Sequence, residues 1–301
     1  MGNLSEKRKG ELLVALAGIL WAFFPVVTVL SYSWLPGLHS LAWSTLFATA
    51  IFGALVAYRR RWAELRNWVV WKYGFLIAIF LGVLFYGFYF VGLETTAPGN
   101  AAILVLFEVF TTSVFFSLFR GEKLPRTHAL GAALMVVGAL IILGRGFTGF
   151  NTGDLLIVVA TMFTPIGNLF QQEARRIASS ETIMFMRSLL SVPLLFVLAY
   201  TVHPNIPLTQ VELSLPFLLI NGLILLGVSK LLWIEAIHRI SVTKAMALQS
   251  GMPLLTLLIA WAILGQAPEV WQLASLPFLI LGVLLLTDQI PLRRGGDHTT
   301  A

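Results

Sequence analysis

Two charged residues stand where an apolar chain has least reason to place them. Glu108 lies in NAAILVLFEVFTTSVFFSLFRGE (residues 100–122), eleven residues from either end of the hydrophobic run Ala97–Phe119. Arg187 lies about two turns into a second run, within SETIMFMRSLLSVPLLF. At 1.5 Å per residue along a helix, Glu108 would sit about 16 Å from each end of its run. A carboxylate at that depth holds a cationic group or exchanges a proton between two solvent-accessible states; the alternative is a protonated acid donating a hydrogen bond to a neighbouring helix. A guanidinium there offers a planar fork that captures a carboxylate through two parallel bonds. The alternatives for Arg187 are snorkelling to the surface or pairing with Glu108. One pair of groups thus fits the amine and the carboxylate of a zwitterion.

Other residues fall into patterns that would complete such a site. In TMFTPIGNLFQQE, Thr164, Asn168 and Gln171 or Gln172 recur at i, i+4 and i+7 or i+8, a single polar stripe on one helix face. Such a stripe lines a cavity or bonds helices together. Trp21, Trp43, Tyr86 and Tyr89 supply a pocket for an apolar side chain or a cage for an alkylammonium. Trp34, Trp62, Trp68 and Trp71, near run ends, read as interface anchors. Lys230, with Glu235, His238 and Arg239 a turn or two beyond it, reads as a snorkelling side chain. Pro25, Pro165 and Pro253 are candidate hinges or kinks, since each removes a helical hydrogen bond and frees a carbonyl.

The same survey excludes other chemistry. The chain has no cysteine, which removes disulfides, thiol catalysis and thiolate-bound metals. Its five histidines (39, 128, 203, 238 and 298) are scattered, and no His-Glu-x-x-His pair is present, so neither a zinc site nor a catalytic set is expected. Asp154, in GFNTGD, reads as a helix-start residue beside the dipole. No phosphate-cradling loop is present, so transport would be secondary rather than ATP-driven, and no cofactor is expected.

The elements that carry these residues follow from composition. The chain of 301 residues is 58% hydrophobic and 11% charged, with mean hydropathy +0.87; soluble domains carry about a quarter charged residues. Runs of about 20 apolar residues, long enough for a ~30 Å hydrocarbon layer, recur throughout. They predict an all-α integral membrane protein with ten transmembrane helices at 11–30, 38–58, 72–92, 97–119, 127–143, 153–174, 181–200, 215–236, 243–264 and 272–288. Helices satisfy their own backbone groups, as lipid requires. Lys7, Arg8 and Lys9 precede the first run as in a signal peptide, but the run is span-length and lacks a small-residue cleavage site, so it is taken as the first helix. With the N-terminus inside, every lysine and arginine except Arg145, Arg187 and Lys230 falls on the inner side. That bias places both termini in the cytoplasm and the protein in the plasma (inner) membrane. It also assigns the formal charge of +6 to topology rather than to nucleic acid. The expected partners are the bilayer and a small-molecule substrate; no oligomer is indicated.

The chain also repeats itself. GELLVALA at 10–17 matches GDLLIVVA at 153–160 at an offset of 143, and Gly121, Glu122 and Gly138 match Gly265, Gln266 and Gly282 at an offset of 144. This divides the chain into a tail (1–9), a five-helix repeat (10–144), a connection on the outer side (145–152), a second repeat (153–288) and a cytoplasmic tail (289–301). Five is odd, so the two repeats insert with opposite orientation, a recurrent device of secondary transporters with a site between the halves. The pattern Ala236-Ile237, Ala245, Pro253, Gly265-Gln266, Gly282, answered by Gly92-Leu93, Ala101, Val109, Gly121-Glu122, Gly138, resembles the EamA-type ten-helix members of the drug/metabolite transporter superfamily. Val109 and Gln266 depart from the proline and glutamate usual there. The resemblance spans residues 10–288 and implies transport of a small metabolite. It also implies an arginine at position 187 facing a central cavity, and a partly architectural glutamate at 108. Together with Glu108 and Arg187, it predicts a secondary transporter working by alternating access on a small polar or zwitterionic metabolite. The first expectation is an amino-acid exporter coupled to protons through Glu108. A carrier of cationic or quaternary amines is the alternative, and a receptor or scaffold is a more distant one.

Overall fold

A computed structural model describes residues 5–120, 126–144, 151–237, 239–240 and 242–290. The Gly121-Glu122 pair, the connection around Arg145, His238 and the tail from 291 lie outside the described residues. Among the described residues there are ten apolar helices: α1 Glu6–Ser31, α2 Gly37–Tyr58, α3 Trp68–Leu93, α4 Pro98–Phe119, α5 Thr127–Leu143, α6 Thr152–Arg175, α7 Ser180–Val202, α8 Leu208–Ile237, α9 Lys244–Leu264 and α10 Val270–Leu286. All but α5 and α10 are long enough by themselves to cross a bilayer. Large apolar side chains such as Leu12, Leu16, Val197, Leu258 and Trp261 point outward on their flanks, as a lipid-facing surface requires. Lys7–Lys9, Arg59–Arg61, Arg175 and Arg176 gather at one end of the bundle, the basic end. Trp62 and Trp68 are exposed there, whereas Trp71 donates to the Leu65 carbonyl at 2.7 Å and ties down the turn Arg61–Arg66.

The repeat is visible in how the helices touch. α1 packs on α8 as α3 packs on α6, and α2–α7, α4–α9 and α5–α10 pair with their own counterparts. Small residues let the backbones meet. A methyl placed on Gly131 would stand 2.9 Å from the Gly282 carbonyl oxygen, and one on Gly138 would stand 3.2 Å from that of Ser275. An offset of 144 carries Gly131 to Ser275 and Gly138 to Gly282, so the two contacts are images of one another. Likewise Gly92 meets the carbonyl of Gly153 as Gly10 meets that of Ala236. The halves are thus exchanged by an approximate two-fold operation, with the core between them.

Departures from regular helix recur at equivalent levels. α3 widens to i→i+5 turns over Ala78–Phe85, and α8 does so over Ile220–Val228. α4 tightens to a 3₁₀ turn at Val105–Phe107, while α9 breaks between Gln249 and Met252. Pro253 explains the break in α9, because it cannot donate to the Gln249 carbonyl. Val109 stands in the equivalent place in α4, and the backbone is distorted there without a proline. In α6, Pro165 follows a break after Thr161. The Thr161 carbonyl it frees accepts the hydroxyls of Thr111 at 2.8 Å and Thr164 at 2.7 Å. Pro25 lies inside an uninterrupted α1.

Candidate functional site

A cavity of about 320 Å³ lies between the halves, lined from α1, α3, α4, α6, α7, α8 and α9. Its wall runs from Pro25 and Ala102, beyond mid-depth, to Arg175, Ile237 and Met246 at the basic end. At the opposite end the helices are cross-linked. Gln272 donates to Asn100 at 2.7 Å, Asn100 donates to the fully buried Asp154 at 3.3 Å, and Asn151 donates to the Thr95 carbonyl at 2.9 Å. Asp154 therefore does more than sit beside a helix dipole: it joins α6 to α4 and, through Asn100, to α10.

Of the residues singled out by sequence, Glu108, Arg187, Trp21, Tyr86, Tyr89, Asn168, Gln171 and Gln172 all line this cavity. Pro25 and Pro253 line it too, and Pro165 acts one layer behind through the break it causes. Trp43 does not line it. Its ring packs edge-on against Phe196 at 5.2 Å, beside Leu35, Val211 and Leu218. The 144 offset maps Arg187 onto Trp43, so one repeat turns this position toward the cavity and the other turns it into packing.

Arg187 is buried, and neither alternative for it holds: it does not reach the basic surface and forms no ion pair with Glu108. Among the described residues no carboxylate lies within 4 Å of its guanidinium. It stacks instead over Tyr86, 5.7 Å from the ring centroid. A small hollow of about 10 Å³ adjoins it, lined by Thr45, Tyr86, Ser188 and Ser191, room for about one water molecule. Ser191 bonds the Arg187 carbonyl at 2.7 Å and reaches the Ala78 carbonyl in the widened part of α3 at 3.4 Å. Tyr86 follows that widened segment directly.

Lys230 corrects the sequence reading. It does not snorkel; its ammonium lies 3.6 Å from the centroid of Trp21 on the cavity wall. The widened segment of α8 ends two residues before it, as that of α3 ends just before its counterpart Tyr86. Wider turns add a residue per turn and rotate the helix beyond them, so both segments aim the next side chains inward. Trp21 stacks on Phe24 at 4.3 Å, and Phe24 meets Tyr86 at 6.2 Å and Tyr89 at 5.6 Å. One aromatic wall therefore carries Lys230 at one end and Arg187 at the other. Glu108 opens the lower segment of α4, immediately after its 3₁₀ turn, within the electrostatic reach of Lys230. Thr164, Arg175 and Gln249 also face the cavity; Arg175 continues the predicted stripe on α6, and Gln249 marks the carbonyl freed by Pro253.

Comparison with known proteins agrees with this architecture. The model of the EamA-like transporter family matches residues 8–144 and 151–288, one match per repeat. A Bacillus subtilis (strain 168) protein described as the uncharacterized transporter YyaM is 24% identical over 230 residues, covering 70% of this chain and 73% of its own. A crystal structure of a protein 18% identical aligns with a TM-score of 0.65 over 92% of this chain and 95% of the other, a likeness of fold.

Proposed function

We propose that this chain, which belongs to the EamA-like transporter family, carries a small zwitterionic metabolite, an amino acid, by secondary transport. Arg187 takes the carboxylate and Glu108 the amine. The observation that supports this is the buried guanidinium of Arg187, facing the cavity without a carboxylate partner among the described residues. A charge at such depth costs roughly 2.5–3.5 kcal/mol even on insertion scales, and a substrate carboxylate offsets it. The positive-inside rule assigns the basic end to the cytoplasm. A cavity reaching that end is then in the inward-facing state, from which an exporter loads. Exchange of the halves' conformations gives the outward-facing state, and Glu108 carries the proton if the cycle is proton-coupled. The quaternary-amine alternative is disfavoured by Lys230, whose own ammonium covers the Trp21 face that such a cation would use.

A thermal-shift panel on the purified protein tests the reading, with amino acids, their decarboxylated amines and choline-like cations as ligands. Ligand at a hundred times its Kd adds about 2.7 kcal/mol of stability, a readable rise in Tm. Amino acids stabilise the wild type, the amines do not, and Arg187→Ala abolishes the response. Stabilisation by amines alone, retained in Arg187→Ala and lost in Glu108→Gln, would replace this reading with the cation carrier.

A further inference from the structure

Three ionisable side chains line the cavity short of its basic end: Arg187, Lys230 and Glu108. Their formal charges sum to one positive. A neutral zwitterion bound at Arg187 and Glu108 leaves that excess in place, because it supplies one anion and one cation. In a low-dielectric site an uncompensated cation is costly, and an occupant that brings the sum to zero is favoured. Among the described residues Lys230 forms no ion pair within 4 Å; Glu108 acts on it only at longer range. Its ammonium rests on Trp21 at the end of the aromatic wall whose other end holds Arg187. Arg175, at the basic end of the lining, stands outside this sum because the carboxylates of Glu181, Glu235 and Glu64 lie around it.

We infer that the preferred substrate is an acidic amino acid, one ammonium with two carboxylates, and that Lys230 is the residue that sets this preference. The α-carboxylate lies on Arg187, the ammonium on Glu108 and the side-chain carboxylate on Lys230, while the short methylene spacer lies beside the cavity-lining ring of Tyr86. Each substrate charge then meets one opposite charge. The flexible four-carbon stem of Lys230 lets its ammonium move from the indole face to the carboxylate. The inference rests on the amino-acid reading above and adds to it the identity of the third contact.

Titration calorimetry on the full chain in nanodiscs separates the two. L-glutamate, L-glutamine and glutarate are the probes; the wild type, Lys230→Gln and Lys230→Arg are the proteins, each checked for an unchanged unliganded Tm. The wild type binds glutamate about tenfold or more tighter than glutamine, Lys230→Gln brings the two to parity mainly by weakening glutamate, and Lys230→Arg keeps the preference. Glutamine binding as tightly as glutamate, or a preference that survives Lys230→Gln, would overturn the inference and leave the amino-acid reading intact. Glutarate binding as tightly as glutamate, with no contribution from the amine, would overturn both.

Discussion

Arg187 and Lys230 are both basic, yet the site asks different things of them. Arg187 is buried, with its guanidinium carbon 5.7 Å from the centroid of Tyr86 and its backbone carbonyl accepting from Ser191. Its value to a carboxylate is a planar pair of donors at a set angle, which a lysine cannot offer. Arg187→Lys keeps the charge and loses the fork, so on the proposed amino-acid reading ligand binding weakens about tenfold to a hundredfold while the unliganded Tm changes little. Binding unchanged by this substitution would reduce Arg187 to a point charge. Glu108 and Arg187 were legible from the sequence because an ionisable group deep in an apolar run has few roles. Lys230 was not, because counting residues from the end of α8 assumes uniform α-helical turns, and the widened segment before it rotates the side chain onto Trp21. Its correspondence to Tyr86 across the repeat was the available signal. Trp43 misled for the opposite reason: correspondence to a cavity residue does not fix orientation when the two repeats have diverged in packing.

At the scale of elements, the ten helices and their order follow from hydropathy alone, whereas their irregularities do not. Pro165 and Pro253 announce breaks; the 3₁₀ turn before Glu108 has no proline and lies against α5, α6 and α10, neighbours the sequence of α4 does not name. Helix ends, too, are held by partners distant in sequence. The N-terminus of α7 is capped by Glu64, whose carboxylate accepts from the backbone N–H and the hydroxyl of Ser179, both at 2.8 Å. Partial burial would raise the Glu64 carboxyl, but the bonds from Ser179 and Thr182, aided by Arg61, outweigh it and hold the group below the ordinary glutamate range. A carboxyl depressed in the folded state contributes stability above its unfolded value, and that contribution fades as pH falls through the folded one. The expected result is a Tm that declines on acidification below about pH 4.5, the ordinary glutamate value, with a shallower decline in Glu64→Gln. Parallel Tm curves for the two proteins would mean that the cap carries no pH-dependent stability.

At the scale of the whole molecule, the inverted repeat makes a statement about a second conformation. The offsets carry Asn100 to Lys244, Gln272 to His128 and Asp154 to Glu11. At the end opposite the basic one, the first set is fully linked, Gln272 to Asn100 to Asp154. At the basic end the corresponding set is only half made: Lys244 pairs with Glu11, while His128 turns to Asp288 at 2.9 Å. One closed and one partly open cluster is what a transporter alternating between two related states requires of a single state. On the proposed transport cycle the halves would exchange roles in a second state: the Asn100 link would open, and His128 would join Lys244 and Glu11. The chain has no cysteine, so a pair introduced as Asn100→Cys and Gln272→Cys reacts without background. A short bis-thiosulfonate linker, matched in reach to the two amides it replaces, holds that end shut. The linked protein still binds substrate from the basic end, as read by its Tm shift, but its transport in liposomes stops and returns on reduction. Transport at the unlinked rate in the linked protein would show that this cluster does not open during the cycle, and that alternation in this chain does not follow from exchanging its halves.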